Sequence, residues 1–541
     1  MNQNDSLLRR PLFWAVAVYC AGFAALLPFL VYHIDADGIS YISIARHYLD
    51  GDFALAVNGY WGPLFSWLLM PFMAAGINPL VSAKLAGFAS GLLALWGARR
   101  LCAALGLSLF SQWVVLLSLA PVGLSFFCQL ISPDLLLAAI LAHYFVFALR
   151  DDFGADGREG LACGALGGLA YLAKSYALPF FAIHFTAICF ARRQFRTWAW
   201  GMAVFALVCG AWGSVLSLKY GGTALTTAGR YNRDVVGPSY KGHPVNYEGF
   251  FAPANGKAAS IWEDPSLIET RRWSMFDSRA AFLHQLRLLA DNFVAECDAL
   301  QAVSLFSCAV ILWLLLEALS GDRLAAAALF SAALYCAGYL PIVARARYLY
   351  PVYLLLAVCA GKLLDALCEN AGRRRKFILA AGLAGSFLIT PAYNIAQSVN
   401  SGRGMFMFSR DFGMRFGAGH TLASGTRWME TLYAAYHTNS RYIGQAAAGI
   451  EPGELARQLS LYGADYFFSW SGRPLAPEGW AEVSGGKYKG ILIYAPPERG
   501  EKSGRATSPP RHGGIQIPGA AQNSPASARP SARKAVPSNS L

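Results

Sequence analysis

Long apolar stretches separated by short polar segments dominate the first 396 residues of the chain. A helix needs about 20 apolar residues to cross the hydrocarbon core of a bilayer. The stretches that suit such helices are 11–32, 79–98, 111–127, 131–149, 160–173, 175–191, 198–218, 300–318, 323–342, 348–367 and 377–396. The fifth and sixth form one run, which we divide at Lys174 because a charged residue is tolerated where the chain turns at the membrane surface. The pattern predicts a mostly α, polytopic membrane bundle of about eleven transmembrane helices.

Basic residues in the gaps between these stretches predict how the bundle is oriented. Short cytoplasmic loops are rich in Lys and Arg. With the N-terminus inside, four of five inner loops hold two or more such residues, the loops being 99–110, 150–159, 191–197, 318–323 and 368–376. An odd number of spans then places the C-terminal region outside the cytoplasm.

Two outer segments are longer than the connections between packed helices usually are. In residues 33–78, apolar positions from Ile39 to Leu49 recur at helical spacing beside Arg46 and His47, which predicts a short amphipathic helix at the membrane surface. A second interfacial helix is predicted around 67–72. Residues 219–299 mix polar and aromatic side chains and predict a cap over the outer face.

The pattern changes after residue 396, which ends the predicted membrane domain of residues 1–396. Helical spacing returns in two short segments, and two others alternate like strands, the four being 431–437, 454–462, 465–470 and 490–495. Residues 397–499 therefore predict a small extracytoplasmic α/β domain. Residues 500–541 are rich in Pro, Ser, Arg, Gly and Ala, a composition typical of disorder.

Composition agrees with a membrane protein and argues against a nucleic-acid partner. The chain is 55% hydrophobic and 14% charged, whereas about a quarter of the residues of a soluble protein are charged. Much of the formal net charge of +13 lies in the short inner loops, where it orients the spans. The basic tail has no aromatic side chain that could stack on a base.

The charged residues that could carry chemistry gather on the predicted outer face. They are Asp35, Asp37, Asp134, Lys174, Arg345 and Arg347. Neighbouring carboxylates repel, which raises the pKa of one of them and can supply a base or a metal ligand. Plainer interpretations exist: Asp37 and Asp134 could cap helices, Lys174 could extend to lipid head groups, and the arginines could anchor the interface. The arginines, however, oppose the positive-inside bias.

Several segments resemble the glycosyltransferase C superfamily, above all its dolichyl-phosphate-mannose protein mannosyltransferase and lipid A aminoarabinose transferase branch. The similar segments are DADGISY at 35–41, GYWGPLFSWLL at 59–69, SPDLLL at 132–137, GGLAYLAK at 167–174 and RYLYPV at 347–352. Counting back from Tyr41, Asp37 takes the position of the family's catalytic Asp. Gly38 stands where the family has Glu, and Trp61 stands where it has Lys.

The resemblance implies an inverting glycosyltransferase that passes a sugar from a polyprenyl-phosphate carrier to a hydroxyl on a glycolipid such as lipid A, a glycan or a protein. Asp37 would be the general base, assisted by Asp35. We expect donor-phosphate contacts from Lys174, Arg345, Arg347 and Tyr348, and substrate contacts from Tyr41, Tyr60, Trp61, Pro63 and Asp134. No cofactor is expected to be required, although a divalent metal at Asp35 is an alternative. The expected location is the inner membrane of a bacterium.

Two other functions fit parts of the pattern. A transporter or flippase of lipid-linked sugars would have ionisable residues near the middle of its spans, broken helices and a repeat between its halves. The predicted spans are almost free of central charges, which favours the enzyme. An inactive relative that binds polyprenyl lipids is suggested by the altered Glu and Lys positions.

Overall fold

The computed structural model describes residues 10–154, 156–470 and 475–497, so the predicted disordered tail at 500–541 lies outside the described residues. Each predicted span falls on helical structure. The helices up to the cap are α1 (Pro11–Leu30), α2 (Ala36–Leu49), α3 (Phe53–Ala56), α4 (Pro63–Ala74), α5 (Pro79–Ala104), α6 (Leu109–Gln129), α7 (Asp134–Ala148), α8 (Arg158–Ala173), α9 (Ala177–Ala191) and α10 (Phe195–Tyr220).

The second part of the bundle begins after the cap. Its helices are α12 (Arg279–Val303), α13 (Ser307–Leu319), α14 (Arg323–Ala337), α15 (Tyr350–Cys368), α16 (Arg373–Ser386) and α17 (Ile389–Ser398), and α11 (Ala228–Val235) lies in the cap before them. The predicted span at 300–318 is not one straight helix, because α12 and α13 meet at 105° where the chain breaks between Val303 and Ser307. The last part of the predicted cap is also helical, since α12 begins at Arg279.

Length and apolarity single out fewer helices than the eleven predicted spans. Among the described residues, six helical segments are long and apolar enough to cross a membrane, and the bent pair α12–α13 would be a seventh. The six are α1, α5, α6, α10, the segment Ala346–Cys368 that contains α15, and the run Arg373–Phe416. Helices α4, α7, α9 and α14 are apolar but have only 12 to 15 residues. The chain is a multi-pass membrane protein.

Helix α2 differs from the surface helix that its sequence predicts. Arg46 and Leu49 are exposed, but most of its other side chains are buried, and His47 is 3% exposed. The 3₁₀ turn Ile261–Glu263 of the cap packs on α2, where Ser40 Oγ donates to the Trp262 carbonyl at 3.0 Å and His47 lies 3.0 Å from Glu263. The predicted helix around 67–72 is confirmed as part of α4.

In the described residues, the C-terminal domain is built on a six-stranded sheet in the order β1-β3-β2-β4-β6-β5. Its strands are β1 (Gly249–Phe250), β2 (Thr421–Ser424), β3 (Arg441–Gln445), β4 (Tyr466–Trp470), β5 (Ala481–Glu482) and β6 (Ile491–Ala495). Strands β2, β3 and β4 are parallel, and parallel neighbours need crossover connections. The helices of this domain are α18 (Arg403–Phe416), α19 (Trp428–His437) and α20 (Pro452–Leu461), of which α19 and α20 make the crossovers.

Strand β1 comes from the cap and not from the C-terminal segment. It pairs antiparallel with β3 through Gly249 opposite Gln445 and Phe250 opposite Gly444. The helices and strands predicted between 431 and 495 are confirmed. The strand from the cap was not predicted, and it joins the cap to the C-terminal domain through main-chain hydrogen bonds.

Candidate active site

A cavity of about 460 Å³ lies where the α1–α2 connection meets α6, α12, α15, α17 and α19. Its charged and histidine lining comes from His33, Asp35, Asp37, Arg345 and Arg347. Apolar side chains make up much of the rest, including Val122, Phe126, Ala299, Val303 and Pro391. The cavity therefore offers both a charged end and an apolar wall to a ligand.

Asp37 is the carboxylate at the charged end. It lies in the first turn of α2 and is 5% exposed. Its Oδ2 is 2.8 Å from Nη1 of Arg347, and its Oδ1 accepts a hydrogen bond of 3.1 Å from the Trp262 indole N–H. A buried carboxylate is stable only with such partners. Arg347 and Trp262 thus hold Asp37 in one orientation at the cavity wall.

Asp35 caps α2, the role that the plainer interpretation gave to Asp37. Its Oδ1 accepts a hydrogen bond of 2.8 Å from the Gly38 N–H, and its Oδ2 accepts one of 2.7 Å from the Ile131 N–H. Burial, together with the charge of Asp37, raises the pKa of Asp35 to about 6. Asp35 therefore ties the start of α2 to the segment before α7 and positions Asp37.

The two carboxylates do not fit a divalent metal. Each of their four oxygens already has a partner in the protein. Within the described ranges, no group of three or more His, Cys, Asp and Glu residues is placed to hold a metal ion. A calcium or magnesium site needs several oxygen ligands around one point, and this arrangement does not provide them.

A chain of ion pairs extends from Asp37 away from the cavity. Nε of Arg347 is 3.8 Å from Oδ2 of Asp134, and Oδ1 of Asp134 is 2.5 Å from Nζ of Lys174. That Nζ lies 3.7 Å from the centre of the Tyr348 ring, a cation–π contact. Two carboxylates and two cations alternate, so that each buried charge has a partner of opposite sign. Arg347 borders the cavity, while Asp134, Lys174 and Tyr348 support it from behind.

The predicted substrate contacts Tyr41, Tyr60, Trp61 and Pro63 lie outside the described cavity lining. The Trp61 ring packs 5.2 Å from Tyr41 and 4.6 Å from Tyr60, and its indole N–H donates to the Trp262 carbonyl at 3.2 Å. Pro63 is the first residue of α4. Tyr60 and Trp61 pack against Trp262, with ring centres 6.4 Å and 6.2 Å from its ring, and so support the side chain that donates to Asp37.

Three features of the site were not predicted. One is the Trp262 hydrogen bond to Asp37. The second is Lys84 of α5, which is 2% exposed and whose Nζ lies 3.1 Å from Nδ1 of His33. The third is that Met429 and Tyr433 of α19 line the cavity, so that the C-terminal domain forms part of the site. For Lys84 the sequence did hold a signal, a charged residue inside an apolar stretch.

Comparison with known proteins identifies the fold. No family model and no curated protein matches the chain. Among solved structures, ArnT from Cupriavidus metallidurans in the apo state is similar, with a TM-score of 0.50, 14% identity and coverage of 89% of this chain and 97% of that one. The same enzyme bound to undecaprenyl phosphate gives a TM-score of 0.50 at 15% identity, with coverage of 89% of this chain and 97% of that one. The oligosaccharyltransferase of Archaeoglobus fulgidus gives a TM-score of 0.51 at 13% identity, with coverage of 90% of this chain and 73% of that one.

At these identities the likeness concerns the fold alone. The chain has the fold of glycosyltransferase C proteins, as the resemblance of its sequence predicts. The similarity extends over nearly the whole length of ArnT.

Proposed function

We propose that the chain is an integral-membrane glycosyltransferase that moves a sugar from a polyprenyl-phosphate carrier to a hydroxyl acceptor on the extracytoplasmic face. The observation that carries the proposal is the meeting of the Asp37 carboxylate with Arg345 and Arg347 in one cavity that also has an apolar wall. The similar fold of ArnT, whose structure was determined with undecaprenyl phosphate, supports the same class of donor.

The arginines suit a phosphate leaving group. When the bond between the sugar and the carrier phosphate breaks, both electrons of that bond stay on the phosphate oxygen, and negative charge grows there. Guanidinium groups stabilise such charge because they donate hydrogen bonds in a fixed, charged geometry. Arg345 and Arg347 come from the segment just before α15 and line the cavity together. The apolar wall suits the polyprenyl chain next to that phosphate.

Asp37 is the proposed general base. It would accept the proton of the acceptor hydroxyl as the hydroxyl oxygen forms its bond to the anomeric carbon, opposite the departing phosphate, so that the configuration inverts. Its ion pair with Arg347 links the two roles. A guanidinium has five N–H donors, so Arg347 can bind the carrier phosphate while Asp37 stays oriented. Lys174 and Asp134 would keep Arg347 in place.

The acceptor has to bring a hydroxyl to the cavity that holds the donor. The proposal admits a hydroxyl of a glycolipid, a glycan or a protein, and it places the site on the outer face of a bacterial inner membrane. Met429 and Tyr433 bring the C-terminal domain to the same cavity, which favours an acceptor that this domain helps to bind.

A transporter of lipid-linked sugars is a second candidate because of two observations. Lys84 is buried in the apolar helix α5, and the pair α12–α13 is bent by 105° beside the cavity. Ionisable residues inside spans and broken helices are usual in transporters. Purified protein in sealed vesicles separates the two candidates: a glycosylated product supports the enzyme, and vectorial movement of the donor without a product supports the transporter.

The decisive experiment replaces Asp37 in the purified protein. With a labelled polyprenyl-phosphate sugar and membrane extract, Asp37→Asn should slow transfer about 10²- to 10⁴-fold, the usual contribution of a general base. Asp50→Asn is the matched control, since Asp50 is exposed just after the same helix. Carrier binding, measured separately, should persist in both variants. Transfer by Asp37→Asn at the wild-type rate would show that another group is the base.

A further inference from the structure

His33, in the α1–α2 connection, lines the cavity. A residue outside the cavity lining, Lys84, determines which of its ring nitrogens donates a hydrogen bond. Nδ1 of His33 is 3.1 Å from Nζ of Lys84, and an ammonium can only donate, so Nδ1 is the acceptor. Burial and the neighbouring ammonium lower the pKa of His33, which keeps the ring neutral. Nε2 therefore carries the ring proton and is a donor. In the part of the chain that the structure describes, Nε2 has no protein partner.

Other uncharged polar groups line the same cavity. Gln129 at the end of α6 lines the cavity, and the described residues give its side-chain amide no hydrogen-bond partner. Asn394 of α17 donates from Nδ2 to Oγ of Ser125 at 3.3 Å, which leaves its Oδ1 available as an acceptor. Thr390 also lines the cavity, and its hydroxyl donates to the Ala302 carbonyl. A lipid chain needs none of these groups, whereas sugar hydroxyls pair with amide and imidazole groups of this kind.

The charges around the cavity do not favour a positively charged ligand. Two guanidinium groups line it, from Arg345 and Arg347, and the Lys84 ammonium lies directly behind His33. The carboxylates that face these cations in the lining are Asp35 and Asp37, whose four oxygens already accept backbone, indole or guanidinium N–H groups. An ammonium group entering this cavity would lose its hydration without gaining an unengaged carboxylate.

We infer that His33, Gln129 and Asn394 form the subsite for the sugar of the lipid-linked donor, and that this subsite takes an uncharged sugar and discriminates against an amino sugar that bears an ammonium group. The inference rests on the proposed function and adds the class of the sugar to it. Lys84 is a positioning residue in this arrangement, because it fixes which nitrogen of His33 is the donor and adds positive charge behind the wall.

The test compares two donors on the wild-type protein. Both have the same polyprenyl phosphate and the same pentose, and they differ in one ring substituent, a hydroxyl or an ammonium group. We expect kcat/KM for the amino donor to be at least about tenfold lower, since an unpaired buried charge costs well over the 1.4 kcal/mol that tenfold represents. Equal use of the two donors, or preference for the amino donor, would overturn the inference and leave the proposed function intact. Transfer of neither donor, with any acceptor in the extract, would overturn both.

Two variants sharpen the result. Gln129→Glu adds a carboxylate to the wall and should bring the two kcat/KM values within about threefold of each other. Gln194→Glu is its matched control, because Gln194 lies at the start of α10 outside the described cavity lining. Lys84→Met removes the charge behind His33 with little change in side-chain length. It should also reduce the ratio between the kcat/KM values of the hydroxyl and the amino donor. If Gln129→Glu has wild-type thermal stability and the same ratio of the two kcat/KM values as wild type, Gln129 does not belong to the subsite.

Discussion

Two buried charge clusters hold opposite ends of α2 against the same turn of the cap, and only the first of them borders the cavity. At the N-terminal end, Asp37 meets Arg347 and the Trp262 indole. At the C-terminal end, Nε2 of His47 lies 3.0 Å from Oε1 of Glu263, which also accepts a hydrogen bond of 2.7 Å from Asn255. The first cluster borders the cavity, whereas His47 and Glu263 are absent from its described lining.

The comparison teaches that buried charge alone does not identify a site in this protein. Asp37 and Glu263 are about equally buried, at 5% and 3% exposure. Glu263 makes its side-chain hydrogen bonds through Oε1 to His47 and Asn255 and fixes the cap to α2. Both oxygens of Asp37 also have protein partners, but Asp37 faces a space that a ligand can enter. Access to the cavity therefore separates a candidate catalytic carboxylate from a structural one.

The largest effect is expected for Arg347→Met. This change leaves Asp37 and Asp134 buried without the cation they share, which should destabilise the protein by about 3–5 kcal/mol. Transfer should fall by at least about 100-fold, a loss typical for removal of one group that stabilises developing charge. Thermal denaturation in detergent and the transfer assay measure the two effects.

Two further variants separate the loss of charge from the loss of the guanidinium group and provide a surface control. Arg347→Lys retains the charge but not the planar fork of donors, so it should recover most of the stability and little of the rate. Arg230→Met is the control on the exposed surface, since the Arg230 side chain is 64% exposed. Full transfer activity in Arg347→Lys would mean that charge alone is needed at this position.

A smaller effect, confined to stability, is expected for Glu263→Gln. The amide can still accept the hydrogen bonds of His47 and Asn255 but loses the charge and introduces an NH₂ group without an acceptor, at a cost of about 1–3 kcal/mol. The kcat/KM of the remaining folded protein should stay within about threefold of wild type. Glu248→Gln, an exposed change in the same cap, is the control. If Glu263→Gln lost transfer activity at unchanged stability, Glu263 would also be needed for transfer. The two clusters would then not differ in role.

Trp262→Phe should lower transfer modestly. It keeps an aromatic ring but removes the indole N–H that donates to Oδ1 of Asp37. A hydrogen bond to a charged group contributes about 1.5 kcal/mol or more, which corresponds to a kcat about tenfold lower. Trp273→Phe is the matched control, because it also removes an indole hydrogen bond, to the Arg233 carbonyl, at an exposed place in the cap. Equal kinetic effects of the two changes would contradict an orienting role for Trp262.

The smallest effect concerns the response of stability to pH. The folded state raises the pKa of Asp35 from 3.8 to about 6, so between these values the folded chain holds more protons on this group than the unfolded chain does. Stability contributed by Asp35 should therefore increase as the pH falls through this window. The thermal midpoint of the wild type minus that of Asp35→Asn should be larger at pH 4.5 than at pH 7. A difference that shrinks as the pH falls would contradict the direction of this shift.

The sequence allowed much of the fold to be predicted, because apolar length and helical spacing are local properties. The division at Lys174 coincides with the end of α8 at Ala173 and the start of α9 at Ala177. The number of membrane crossings does not follow in the same way. Short helices such as α7 and the bend after Val303 depend on packing against neighbours, which a local pattern does not contain.

The candidate site could be predicted only in part. Asp37, Asp134, Lys174 and Arg347 carry charges that are unusual beside apolar stretches, and the structure joins them in one chain of ion pairs. Trp262 gave no such signal, since aromatic residues are common throughout the cap and its hydrogen bond depends on how the cap folds back. The packing of Trp61 against Trp262 likewise depends on how the cap folds back.

Strand β1 has a practical consequence for work on the C-terminal domain. Because β1 belongs to the cap, a fragment that begins after the membrane helices would lack it and would leave one edge of β3 unpaired. Exposed strand edges recruit other strands and promote aggregation. Expression of the domain in isolation would then yield self-associating material, unless a linker restored residues 249–250 and their flanks to that edge.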